Sequence, residues 1–335
     1  MNIEKNMIVS SIFGLAVGDA LGVPVEFVKR EKLIKNPIKT MIGYGTHNQE
    51  PGTWSDDTSL TLALIDGLKS GYDINKIGQN MIDWFYNDQF TANNYVFDVG
   101  GTTKNAIDKL RNGISPLESG SSNPYDNGNG SLMRILPLAF YLYNINFENR
   151  KNIIYEVSGI THANIISKVA CHFYIEFIIQ LIKTKDIKES YEFIANLFSE
   201  YYQESIVKKE FQRLFSGKTL DINKAKVKSS GYVVDTLEAS IWCILHTNNY
   251  KDAVLTAVNL GDDTDTTGAV TGGLAGLIYG YDAIPDEWIH ILKNHEYIYN
   301  ICMEFYNTCR NDIFGTYRGL IEIKKTSLLR NIFRK

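Results

Sequence analysis

The sequence predicts an all-α fold in a single domain, and three observations carry that expectation. Apolar residues recur at helical spacing over almost the whole chain, while the period-two alternation of a half-buried strand is scarce. Glycines recur at every fourth position in two of these stretches, at Gly14, Gly18 and Gly22 and again at Gly268, Gly272, Gly276 and Gly280. Two clusters rich in Asp and Thr, lying toward opposite ends of the sequence, each open a helical run. A site built from both clusters needs the chain between them folded as one unit.

Taken in order, residues 4–22 read as the first helix, with its glycines forming a bare stripe on one face. A glycine inside a helix costs about 1 kcal/mol relative to alanine, so a register of them calls for close backbone contact with another helix. We expect the two striped helices to cross tightly in the core and to carry their acidic motifs to one end. A lipid-facing GxxxG reading fits poorly, because Asp19 and Thr271 interrupt short apolar runs. After GTWSDDT, the residues Leu60, Leu62, Ala63, Leu64 and Leu68 mark a helix that stops by Gly71. Further helices are expected over 74–88 and 102–111, then over 132–143 with Pro137 as a kink. Helical patterns continue over 165–183, 187–202 and 206–215. Asp235 and Glu238 have the spacing of a capping box for a helix running to about residue 246, followed by 250–260 and 269–279. The domain is expected over 1–320, and the basic residues of 321–335 (Lys324, Lys325, Arg330, Arg334, Lys335) read as a solvated terminus.

Composition narrows the functional classes. Of 335 residues, 44% are hydrophobic and 21% charged, the proportions of an ordinary globular protein. A net charge of −4 offers no footprint for nucleic acid. The four cysteines show no CxxC spacing, so free thiols in a reducing compartment are expected. The segment 7–17 resembles a signal-peptide core but lacks a small-residue cleavage site, and no apolar run suggests a membrane span. A cytoplasmic monomer is the expectation.

The chemistry is concentrated in the acidic clusters. LGDDTDTTGAVTGG packs Asp262, Asp263 and Asp265 among Thr264, Thr266 and Thr267. One helix cap uses one such residue, whereas three carboxylates this close repel unless a cation sits among them. Carboxylate and hydroxyl oxygens suit a hard ion such as Mg²⁺. The second cluster, in GTWSDDT, lies about 200 residues earlier and meets the first only through the tertiary fold. Together they can hold two metals about 4 Å apart. Glu26, just past the first helix, is either a solvated loop residue or part of this site, and Asp19 reads as a polar helix-end residue. Asp98, before Gly100-Gly101-Thr102, reads as a turn residue or as a general acid/base beside amides that bind phosphate. Asn127–Arg134 is either a connector or an anion loop, and it lacks the GK[ST] of a nucleotide-hydrolysing loop. His162 opens a helix and reads as a hydrogen-bonding residue, not a metal ligand. The remaining histidines form no HExxH pattern.

Seven blocks (GDALGVPVEF, GTWSDDTSLTLAL, FDVGGTT, GNGSLMRILPLA, THAN, GYVVDTLEASIW and GDDTDTTGAVTGGLAGLIYG) resemble, in order, those of the ADP-ribosylglycohydrolases. FDVGGTT and GYVVDTLEAS point to the dinitrogenase-reductase-activating branch, and the match covers about residues 8–280. The resemblance implies a compact all-α orthogonal bundle with a binuclear Mg²⁺ or Mn²⁺ cleft. It implies metal ligands at Ser55, Asp56, Asp57, Asp263, Asp265 and Thr266, and catalytic roles for Asp98 and Glu26. ADP-ribose would be held by Gly100, Gly101, Thr102, Asn129, Gly130 and Ser131, with His162 and Tyr232 beside them. Two departures are Asp262, where many relatives have Gly, and Ser55, which keeps the hydroxyl of the commoner Thr. The implied activity is metal-dependent removal of ADP-ribose from protein arginine. The competing readings are a hydrolase of serine-linked ADP-ribose or O-acetyl-ADP-ribose, a two-metal phosphohydrolase, and a non-catalytic ADP-ribose binder.

Overall fold

A computed structural model describes residues 3–310; the basic tail expected over 321–335 lies outside the described residues. In chain order the helices are α1 (Lys5–Gly22), α2 (Arg30–Lys35), α3 (Asp56–Leu68), α4 (Ile74–Asn87), α5 (Gly101–Arg111), α6 (Pro137–Tyr141), α7 (Phe147–Gly159) and α8 (Ile165–Thr184). They continue as α9 (Ile187–Tyr201), α10 (Ser205–Glu210), α11 (Gln212–Phe215), α12 (Val233–Leu245), α13 (Tyr250–Val258), α14 (Thr264–Tyr279), α15 (Asp286–Ile291) and α16 (His295–Arg310). Among the described residues the only β pairing is three isolated bridges. The all-α expectation holds.

The glycine stripes do meet. A Cβ added to Gly14 would collide with the Gly272 carbonyl, one on Gly18 with the Gly268 carbonyl, and one on Gly22 with the backbone of Asp265. The reverse collisions occur from Gly268 and Gly272, and Gly276 abuts Ser10 in the same way. Backbone therefore packs on backbone, and α1 is buried from Ile8 to Gly22 against α14, buried from Thr264 to Gly276. The pair is further tied by Thr264 Oγ1, which donates to the Gly22 carbonyl at 2.8 Å and so satisfies an acceptor at the end of α1. Tyr250 donates to the Gly14 carbonyl at 2.8 Å and Tyr174 to the Val270 carbonyl at 3.1 Å. One apolar cluster runs through the molecule from Ile8 to Phe305, and a small second one gathers around Trp242.

Two helices, α1 and α8, do have the length and apolarity of a membrane span, contrary to the run-length reading. Both are walled in by protein, with the whole of the α1 window and 83% of the α8 window buried. They are core helices.

Several boundaries move. The stretch 132–143 is not one helix: a 3₁₀ turn at Asn129–Ser131 comes first, and α6 begins at Pro137 instead of bending there. Proline lacks an N–H and has a helical φ, so it starts a helix readily. The helix over 206–215 divides at Phe211, whose buried ring stacks on Phe215 at 5.2 Å. The capping box at Asp235 and Glu238 does not form, because other partners claim both side chains. Asp235 accepts from Ser230 Oγ at 2.7 Å, Glu238 pairs with Arg213, and α12 starts earlier, at Val233. Most consequential for the site, α14 starts at Thr264, not at 269, so Asp265 and Thr266 lie in its first turn.

Candidate active site

The first acidic cluster hangs from α1. Asp19 is fully buried and accepts from the backbone N–H groups of Ser55 at 2.9 Å and Thr58 at 3.1 Å, and from Thr58 Oγ1 at 2.6 Å. A carboxylate from one helix thus caps another, satisfying N–H groups that α3 cannot pair itself. Ser55 is the N-cap residue, and its hydroxyl donates to Asp57 Oδ2 at 3.2 Å. From sequence Asp19 reads as a polar helix-end residue; the signal that it is buried is its place inside a helix whose flanking glycines, Gly18 and Gly22, must pack against backbone.

The second cluster is held by three neighbours. Asp263 accepts from Asn129 Nδ2 at 2.9 Å, and its N–H donates to the Ser229 carbonyl at 2.9 Å. Asp265 accepts from the Thr266 N–H at 2.9 Å. Thr266 Oγ1 lies 3.3 Å from Asp57 Oδ2, so the two clusters touch directly. Asp262 points the other way: at φ 60° it forms an exposed ion pair with Lys29 at 2.7 Å. Its backbone pairs with Phe27 and Val28 at 2.6 and 3.0 Å, which docks the Glu26 loop onto the site.

Carboxylate oxygens of Asp19, Asp57 and Asp265 lie within 4.8 Å of one another, as do those of Glu26, Asp263 and Asp265. Burial first, then mutual repulsion, pushes Asp56, Asp57 and Asp265 well above the usual carboxylate range, and burial also raises Asp263. Burial takes Glu26 up to about 8, its hydrogen bond to His47 acting against the rise. Asp57 Oδ1, Asp263 Oδ1 and Asp265 Oδ2 are buried without any hydrogen-bond partner. Oxygen donors of this kind, unsatisfied and crowded, fit a hard divalent cation.

Asp98 joins from the loop before α5. It is held at φ 53°, and His47 lies between it and Glu26, hydrogen-bonded to Glu26 and 3.8 Å from Asp98 Oδ1. Nothing in the spacing around His47 marks it, because its loop reaches the site only through the fold. Gly100 and Gly101 face open space, with no atom within 4 Å of an added Cβ, and no side chain caps the first turn of α5. Those amides are free for an anion.

The Asn129 loop pairs with the start of α12, Asn129 N–H donating to the Gly231 carbonyl and Val233 N–H to the Asn127 carbonyl, each at 3.0 Å. Asn129 faces Asp263, but Ser131 turns inward, where its hydroxyl accepts from Ser158 at 3.1 Å. His162 is buried beneath the loop, and an added Cβ on Gly130 would lie 2.9 Å from its Cε1. Burial takes its pKa down to about 3, so the ring is neutral. Arg134, also buried, reaches the Gly130 carbonyl and donates to Thr161 Oγ1 at 2.8 Å, bracing the loop from below. Tyr232 is half-buried and donates to Glu210 at 2.8 Å.

A sequence model described as ADP-ribosylglycohydrolase matches residues 2–313. The ADP-ribosylarginine hydrolase Tri1 of Serratia proteamaculans is 32% identical over 305 residues, covering 88% of this chain and 78% of its own. The ADP-ribosyl-[dinitrogen reductase] glycohydrolase of Rhodospirillum rubrum is 29% identical over 286 residues, covering 83% and 87%. A solved ADP-ribosylglycohydrolase-related protein complex superposes with a TM-score of 0.78 at 26% identity, covering 91% of this chain and 98% of that one.

Proposed function

This chain belongs to the ADP-ribosylglycohydrolase family, and we propose that it hydrolyses the N-glycosidic bond between ADP-ribose and a protein arginine with two bound Mg²⁺ or Mn²⁺ ions. The observation that carries the proposal is the convergence of Asp57 with Asp263 and Asp265, each keeping a buried oxygen unpartnered. Ser55, Asp56, Asp57, Asp263, Asp265 and Thr266 would hold the ions. Such ions supply polarisation of ribose oxygens and a water acidic enough to attack at neutral pH.

The chain's own residues do the rest. Asn129 fixes Asp263, and Asp19 fixes the start of α3, so the donor set is preorganised. The free amides of Gly100, Gly101 and Thr102, with the Asn129–Ser131 turn, bind the pyrophosphate, while His162 and Arg134 support that turn from below. Tyr232 is assigned to the rim of the same cleft through its backbone, which pairs with Gly128, since its hydroxyl is taken by Glu210. Asp98 handles the proton on the departing guanidine, with Glu26 and His47 setting its position. One domain over 1–320 is supported by the apolar cluster continuous from Ile8 to Phe305. We take the working form to be a cytoplasmic monomer that acts on an ADP-ribosylated protein.

The test is incubation of the Mn²⁺- or Mg²⁺-loaded protein with arginine-linked and serine-linked ADP-ribosyl peptides in parallel. ADP-ribose is expected from the arginine linkage. Release from the serine linkage alone would reverse the assignment, and release of phosphate would point to a phosphohydrolase.

A further inference from the structure

A row of aromatic rings borders the acidic centre at Glu26 and Asp98. His47 sits between Phe27 and Phe97, with ring centroids 6.2 and 5.5 Å away, and Tyr95 continues the row 6.1 Å from Phe97. None of these rings is core: Phe27 is 63% exposed, Tyr95 43%, and Phe97 and His47 are half-buried. Phe27 is also held in the left-handed region at φ 63°, pinned there by its N–H to the Asp262 carbonyl at 2.6 Å. That conformation is costly for a bulky side chain, and strain of this kind collects at functional sites. The row ends on carboxylates, since His47 is bonded to Glu26 and lies 3.8 Å from Asp98.

The rings are tilted to one another, Phe27 by 55° and Phe97 by 51° from His47, so a flat cation can stack on one of them at a time, beside the carboxylates. A guanidinium is flat and cationic, stacks on rings, and presents a fork of N–H groups that carboxylates accept. We propose that Phe97, with Phe27 on the other side of His47, forms the acceptor subsite, a shelf on which the guanidinium of the modified arginine stacks while Asp98 and Glu26 meet its N–H groups. The shelf rests on the arginine reading above and deepens it, by making linkage preference a property of these rings. A serine linkage offers no planar cation and gains nothing from the shelf.

The test compares wild type, Phe97→Ala, Phe97→Leu and Phe27→Ala, all metal-loaded, on arginine-linked and serine-linked peptides, with ADP-ribose affinity measured by calorimetry. Phe27, being mostly exposed, can be truncated with little risk to folding. KM for the arginine-linked peptide is expected to rise about 5- to 30-fold in the Phe97 variants and about 2- to 5-fold in Phe27→Ala, the sizes of a desolvated and an exposed cation–π contact. kcat and ADP-ribose affinity are expected to hold. Recovery in Phe97→Leu would mean apolar bulk, not the π face, and would overturn the shelf. A parallel fall in ADP-ribose affinity would overturn it too, by assigning the rings to the adenine. If wild type cleaves the arginine linkage and all variants match it, the shelf alone is wrong. If wild type leaves that linkage intact, the arginine reading fails and takes the shelf with it.

Discussion

Gly18→Ala tests the link between helix packing and the active site. The added methyl would meet the carbonyl oxygen and carbon of Gly268 and the backbone N of Ala269, none of which can swing aside as a side chain would. Clearing the overlap requires α1 and α14 to part by about 1 Å, and overpacking of this kind costs about 1–3 kcal/mol. For a chain of this size that is a fall in Tm of roughly 2–10 °C. The consequence for the site is larger, because Asp19 is the next residue on α1 and carries the start of α3, while α14 carries Asp265. A misplacement of about 1 Å is enough to lower turnover on the order of 100-fold. Gly78→Ala is the control: it lies inside α4, and its Cβ meets only flexible or ring atoms, the nearest being Pro116 Cγ at 3.1 Å. The assays are thermal melting and turnover of the arginine-linked peptide at saturating Mn²⁺. If Gly18→Ala melts and turns over like the Gly78→Ala control, the crossing does not set the site and the reasoning is refuted.

Other outcomes follow from the same geometry. Asp57→Asn and Asp265→Asn relieve crowded buried acids, so the metal-free protein should melt no lower than wild type while the Mn²⁺-induced rise in Tm disappears; a retained rise means the ions bind elsewhere. Asp98→Asn should lower turnover by about 10²–10⁴-fold with the Mn²⁺-induced rise intact, and near-normal turnover would remove Asp98 from the chemistry. For the metal-stripped protein, Glu26 moves from an ordinary 4.5 to about 8, so the folded state binds more protons than the unfolded one between those values. Its stabilising contribution is present in full below pH 4.5 and is lost as pH rises through 8, and Asp57 and Asp265 shift in the same sense. Melting without metal should therefore fall between about pH 5 and 8, and added Mn²⁺ should flatten the slope. A metal-free Tm that climbs over that range would contradict the buried-acid account.

The sequence by itself determined the helical class, the pairing of the striped helices and the two oxygen-rich clusters that converge. Each of these is local: periodicity, four-residue glycine spacing and dense oxygen donors are visible within one segment. The start of α12 at Val233 and the inward turn of Ser131 were not, because partners distant in sequence decide them: the Asn127 carbonyl that takes the Val233 N–H, and Ser158. The same holds for Asp19 and His47, whose meaning depends on what they face: the start of α3 for one, Glu26 and Asp98 for the other. Asp262 and Asp263 make the division plain. They are adjacent and chemically identical, yet a left-handed turn sends one out to Lys29 and turns the other's carboxylate inward, with one oxygen on Asn129 and the second buried. Composition provides the carboxylates; only the path of the backbone decides which of them lose their water.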